Sequence, residues 1–194
     1  MTVVDAPVET RATAALLTCI ARFGLAKTTL DDIAREAGCS RATLYRYFDG
    51  KAAIVRHTVR VEVDRMTSAA VDAGLEAASL DDAVVAVTVR AARDLASHDA
   101  LWFLLVHEPE SILSHLAFSE GDRVIIRVGD ALAPAFARWL DPMGAIRAGE
   151  WLARVLRSYV LMPEPSIDLT EFTSAREFLA ELVVPGIAAG GSHG

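Results

Sequence analysis

Between Ser40 and Lys51 the chain sets Arg41, Thr43, Tyr45, Arg46, Tyr47 and Lys51 among a few apolar residues. No paired nucleophile and base stands here, so the chemistry on offer is recognition. A guanidinium forks onto guanine O6 and N7, while hydroxyls and an ammonium reach phosphates. Leu44 and Phe48 are four apart and share one helical face, which fits them for a core with Leu30, Ile33 and Ala37. Arg41, Thr43, Tyr45, Arg46 and Tyr47 are left at least partly outward. Arg41 and Ala42, at a helix start, would meet base edges first; an alanine methyl can touch a thymine methyl. Tyr45 and Tyr47 have a second reading, as packing against a following helix, and Arg46 and Arg35 one as solvated charges.

Two short helices are needed to hold these side chains in place. Thr29 followed by Asp32 is a capping-box arrangement, and the helix it opens buries Leu30, Ile33, Ala34 and Ala37 before Gly38. Ser40 is a good N-cap for the next helix, which ends near Asp49-Gly50. Two helices of this size joined through Gly38-Cys39-Ser40 have the proportions of a helix-turn-helix, whose second member enters the major groove. Thr29 would offer its hydroxyl and free backbone N–H groups to a phosphate, and Thr43, Tyr45, Tyr47 and Lys51 would do the same with their side chains.

The charge distribution agrees with one polyanion-facing patch. The 194-residue chain carries a net charge of −7, yet residues 11–60 hold nine Lys/Arg against four Asp/Glu. Cys19 and Cys39 suit free thiols in a reducing compartment. The N-terminus lacks a basic leader, and no apolar run reaches membrane-spanning length, so the expectation is a cytoplasmic protein with no membrane partner.

The periodicity is helical almost throughout, so the fold class is all-α. A first helix ends at Gly24, and a long one runs from near Lys51 towards Ala73 with Gly74 as its stop. Ser79 with Asp82 caps a helix to about Ser97, and Leu101 to His107 form a short apolar segment. Further helices are expected over roughly Ser111–Phe118, Asp122–Leu140, Ala145–Met162 and Asp168–Val184, the last opened by an Asp168/Glu171 box. The β-branched run "AVVAVTV" at 83–89 lies between a cap and "RAARDL", which favours helix over strand.

The stretch "TTLDDIAREAGCSRATLYRYFDGKAAIV" resembles the DNA-binding signature of the TetR/AcrR family of bacterial transcriptional regulators, "IAxxAGVSxGxLYxxFxxKxxL" after a capping Thr. The matching positions are Thr29, Ile33, Ala34, Ala37, Gly38, Ser40, Leu44, Tyr45, Phe48 and Lys51. Cys39 replaces the usual Val, Ala42 the commonest Gly and Ile54 a frequent Leu. The resemblance implies a three-helix DNA-binding domain over residues 9–55 and a helical ligand-binding and dimerisation domain over 56–186. It implies that Arg41, Ala42, Thr43 and Tyr47 face DNA while Tyr45 and Lys51 hold the backbone. It also implies that the last two long helices form a dimer seam, with Leu152, Leu156 and Tyr159 on one and Phe178 and Leu182 on the other. The same stripes would equally pack within one subunit.

A pocket for a largely apolar small-molecule effector would draw on Trp102, Phe103, Phe118, Phe136, Trp139 and Trp151, with His98, His107, Glu108 and His115 as polar candidates and His107 the one favoured among them. His107 and His115 lack zinc spacing and have no cysteine near them, so neither metal nor cofactor is expected. No triad order or phosphate-binding glycine loop suggests an enzyme. The expectation is a ligand-responsive repressor that binds a palindromic double-stranded operator as a homodimer. An activator or co-regulator with the same motif, or a helical interaction protein without DNA binding, are the other readings.

Overall fold

The computed structural model describes residues 6–111, 118–162, 166–182 and 184–185. Among these residues the regular structure is helical: α1 (Val8–Phe23), α2 (Leu30–Glu36), α3 (Arg41–Tyr47), α4 (Gly50–Leu75), α5 (Leu80–Ala96), α6 (Asp99–His107), α7 (Phe118–Leu132), a 3-10 turn (Ala133–Ala135), α8 (Pro142–Leu161) and α9 (Phe172–Leu182). No helix of the described residues is long and apolar enough to cross a membrane.

The chain divides into two compact units, Met1–Val63 with His98–Ser114 and Asp64–Ser97 with His115–Gly194. The boundary expected between residues 55 and 56 lies within α4, eight residues before this division. The first unit takes eight further residues of α4, and α6 returns to it from the middle of the chain.

The first unit packs around Ala12, Leu16, Ile20, Ile33, Ala37, Leu44, Phe48 and Ile54. Helix α6 contributes Ala100 and Leu104 to the same core. Cys19 lies buried on α1 as a free thiol, and burial pushes its pKa up; Cys39 is also free. The buried hydroxyl of Thr28 donates to the Gly24 carbonyl at 2.6 Å, so this buried side chain in the α1–α2 turn is satisfied.

In the second unit α5 is central, with Ala83, Val84, Val85, Val87, Thr88, Val89 and Ala92 all buried. Thr88 satisfies its hydroxyl on the Val84 carbonyl at 2.8 Å. Helix α5 packs on α8 and α9, and α7 packs closely along α8. Gly129 and Gly149 permit that approach, because a Cβ on Gly149 would stand 2.6 Å from the Gly129 carbonyl oxygen.

Several expected boundaries move, each for a local reason. Gly74 lies inside α4 instead of stopping it. A Cβ there would come within 2.8 Å of Ala135 and Val87 side chains, so the glycine allows close packing. The helix expected over Asp122–Leu140 ends at Leu132, where Pro134 tightens the chain into a 3-10 turn. Helix α8 begins at Pro142, with Asp141 capping Gly144 N–H at 2.7 Å. The Asp168/Glu171 box does not form. Asp168 accepts from the Thr170 N–H at 2.8 Å and from its hydroxyl at 2.6 Å, which makes a turn, and α9 starts at Phe172. The helix expected over Ser111–Phe118 lies largely outside the described residues.

Candidate nucleic-acid interface

The capping box at Thr29 is complete. Asp32 N–H donates to Thr29 Oγ1 at 3.2 Å, and Thr29 N–H donates back to Asp32 Oδ2 at 3.0 Å. These bonds from Thr29, aided by Arg35, hold the Asp32 carboxyl below its ordinary pKa. Helix α2 thus begins at a fixed point and places Ile33 and Ala37 inward. Gly38 turns the chain at φ +62°, a left-handed conformation that an L side chain adopts at a cost. Ser40 then caps α3 by accepting from Thr43 N–H at 3.0 Å, with the Thr43 hydroxyl 2.9 Å away.

Anchoring of α3 comes from Leu44 at 1% exposure and Phe48 at 8%. That pins one face and turns Arg41, Ala42, Tyr45, Arg46 and Tyr47 outward as a group. Tyr45 is 50% exposed and Tyr47 47%, so neither phenol is spent on packing. Arg41 sits at the α3 N-terminus, where the helix dipole disfavours a cation. Asp31 of α2 offsets this, since its Oδ2 accepts from Arg41 at 3.2 Å, and the guanidinium lies over the Tyr45 ring, 5.6 Å from its centroid. Arg46 makes the equivalent stack on Tyr47 at 5.9 Å. The outward face of α3 is therefore a row of guanidinium–tyrosine pairs, with donors and flat rings directed away from the core.

Lys51 differs from its neighbours. Its ammonium turns back to the Leu25 carbonyl at 2.5 Å, and burial pushes its pKa below the usual lysine range against the pull of Glu108. Asp31 was not singled out from the sequence, and Glu108 stood there only as a polar candidate for a pocket. Asp31 lies ten residues from its partner and Glu108 eighty-two from the Ala26 N–H that it accepts, so no local spacing signals either contact.

The aromatic candidates for an effector pocket are divided between the two units. Trp102, Phe103 and His107 belong to the first unit, where Phe103 and His107 rings stack at 4.6 Å and Trp102 is 65% exposed. Phe136, Trp139 and Trp151 belong to the second. Phe136 is fully buried in the core, Trp139 packs at its edge and Trp151 is exposed. The Phe118 side chain lies outside the described residues. Phe136 is thus buried in the second unit's core, while Trp102 and Trp151 are exposed.

The seam candidates differ in their burial within the single chain. Leu152 and Leu156 are buried in their own subunit's core, at 0% and 6% exposure. Tyr159 and Phe178 are half-buried against it, and the Leu182 side chain lies outside the described residues. The apolar side chains that α8 leaves exposed are Met143 and Trp151, followed by Met162 just past its end.

A capped helix-turn-helix with an outward row of arginines and tyrosines, on a chain whose described regular structure is helical, defines a DNA-binding transcriptional regulator. Residues 12–58 match the profile of bacterial regulatory proteins of the tetR family. An uncharacterised HTH-type transcriptional regulator of Mycobacterium tuberculosis, Rv1255c, is 32% identical over 82% of this chain and 77% of its own length. The chain belongs to the TetR family of bacterial transcriptional regulators. Two solved structures share the fold. The TetR family repressor AlkX from a Dietzia strain, implicated in n-alkane biodegradation, has a TM-score of 0.72 and 21% identity, covering 95% of this chain and 97% of its own. The fatty acid degradation regulator FadR from Bacillus halodurans has a TM-score of 0.62 and 17% identity, covering 93% and 98%.

Proposed function

We propose that this regulator is a repressor that reads a palindromic operator as a homodimer through α3 and releases it on binding a largely apolar effector. The observation that carries the reading is the outward row of Arg41, Tyr45, Arg46 and Tyr47, held by Leu44 and Phe48 behind it. In this reading Arg41 and Ala42 touch base edges. Thr29, Ser40, Thr43, Tyr45 and Tyr47 hold phosphates and sugars, which set register without reading sequence. Lys51 serves from behind, by fixing the turn at Leu25. The apolar effector is supported by the names of the two fold neighbours, which link them to n-alkane and fatty acid degradation.

The dimer seam in this reading follows the exposed side of α8 through Trp151 and Met162, flanked by the half-buried Tyr159 and Phe178. Leu152 and Leu156 serve the subunit's own core. Two-fold proteins pair with two-fold sites, which places the two α3 helices about one helical turn of DNA apart.

Arg41→Ala tests the contact face. A good bidentate base contact discriminates by about 1–3 kcal/mol, so Arg41→Ala should bind a duplex recovered by wild-type protein from random-sequence DNA roughly 5- to 150-fold more weakly. Melting temperature should be unchanged, because the Arg41 side chain is 53% exposed and its Asp31 pair is a surface one. Equal affinity of the variant, measured by fluorescence anisotropy at physiological salt, would remove Arg41 from the interface.

A further inference from the structure

The geometry points to Glu108, at the C-terminal end of α6, as a positioning residue for DNA binding that acts by capping the α1–α2 turn. This inference rests on the α3 reading above and adds a residue far from it in sequence. The turn in question runs from Gly24 to Thr28 and leads directly into Thr29, the N-cap of α2. Its backbone has a donor at Ala26 with no partner inside the turn, and Glu108 Oε2 accepts that N–H at 3.0 Å. The other carboxylate oxygen rests on Gly24, at φ +84°, where a Cβ would stand 2.0 Å from Glu108 Oε1 and 3.0 Å from the Phe103 ring. A Cβ there would displace the carboxylate from the turn, so the glycine lets Glu108 reach it.

The turn is gripped from a second side. Lys51 Nζ donates to the Leu25 carbonyl at 2.5 Å, one residue before the N–H that Glu108 accepts. A carboxylate on the N–H and an ammonium on the carbonyl hold the two polar ends of a single peptide group, Leu25–Ala26. Such charge-assisted bonds are the stronger kind. Helix α6 is itself fixed at its other end. His98 Nδ1 caps it by accepting from Leu101 N–H at 3.1 Å, and His98 Nε2 lies 3.6 Å from Glu62 of α4. Between these ends Ala100 and Leu104 are packed into the first unit's core. Glu108 is therefore presented by a helix with little freedom to slide, and the turn takes its position from that helix. A displaced turn carries Thr29 and α2 with it, and α3 packs on α2.

The two features of Glu108, its reach and its charge, are separable by substitution. Glu108→Gln keeps an acceptor oxygen at the same reach without charge. Glu108→Asp keeps the charge but falls one C–C bond short, about 1.5 Å. The probe is again a duplex recovered by wild-type protein from random-sequence DNA, bound to the full chain. Glu108→Ala and Glu108→Asp are expected to bind it about tenfold more weakly, equivalent to about 1.4 kcal/mol, and to exchange the Ala26 amide proton faster in NMR. Glu108→Gln is expected to stay within about threefold of wild type with the Ala26 amide still protected. Helicity from circular dichroism should be the same in all three. Wild-type affinity for both Glu108→Ala and Glu108→Asp overturns the inference. So does a loss of affinity with the Ala26 amide still protected, or a Gln variant as weak as Ala beside a normal Asp variant. Should the wild type recover no duplex, the α3 reading fails as well, whereas a recovered duplex bound equally by every variant defeats Glu108 alone.

Discussion

Trp151→Glu is expected to yield a folded monomer that no longer holds its operator, although residue 151 never touches DNA. The side chain is 56% exposed on α8, so a carboxylate there remains solvated in the single subunit and costs the fold little. In the proposed seam the same carboxylate would be buried opposite a second copy of itself, where an unpaired charge is expensive. Loss of the dimer then removes the second α3 from its half-site, leaving one set of base contacts where two are needed. Sedimentation should report the monomer mass with unchanged helicity, and affinity for the wild-type-selected duplex should fall at least a hundredfold. Leu156→Glu serves as the contrast. At 6% exposure in its own core it should lose helicity outright, and a folded Leu156→Glu monomer would return the seam to the stripe first expected. A Trp151→Glu dimer with normal operator affinity would move the seam elsewhere.

Phe136→Ala is the second large effect, directed at stability. Phe136 is 0% exposed and lies among Leu132, Ala135, Leu152 and the α5 valines in one core cluster. Truncating a buried phenylalanine removes its transfer energy and leaves a cavity, together about 3–5 kcal/mol. That is a large part of the 5–15 kcal/mol by which domains are stable. Denaturant unfolding should show this loss, while Trp102→Ala, at an exposed position, should shift stability by less than about 0.5 kcal/mol. A Phe136→Ala protein as stable as wild type would mean that Phe136 lines a space open to a ligand after all.

The helix-turn-helix was legible because its signals are local. Thr29 with Asp32, Gly38 with its positive φ, and Ser40 with Thr43 each act within a few residues. Leu44 and Phe48 then orient everything between them. What the sequence hid is carried by distant pairs: Asp31 on Arg41, Glu108 on Ala26 and Arg93 on the Thr170 carbonyl at 2.7 Å. Composition misled in three places. Gly74 has the chemistry of a helix stop but is needed for close packing inside α4. Asp168 has capping-box spacing to Glu171, yet Thr170 lies nearer and captures it. Apolar periodicity ran on past Pro134, whose missing N–H ends the helix at Leu132. The stripe Leu152–Leu156 poses a different problem. Periodicity shows that a face is buried but not which chain buries it, and here the subunit's own core does.

The central claim is that two copies of this chain read DNA through paired α3 helices. Selection of duplexes from a random-sequence pool by the wild-type protein, followed by sequencing, tests it most directly. The account predicts enrichment of an inverted repeat whose half-site centres lie about 34–36 Å apart, or a whole multiple of that turn, and predicts that Arg41→Ala loses this preference. No enriched sequence, a single half-site without symmetry, or the same repeat recovered undiminished by Arg41→Ala would contradict it.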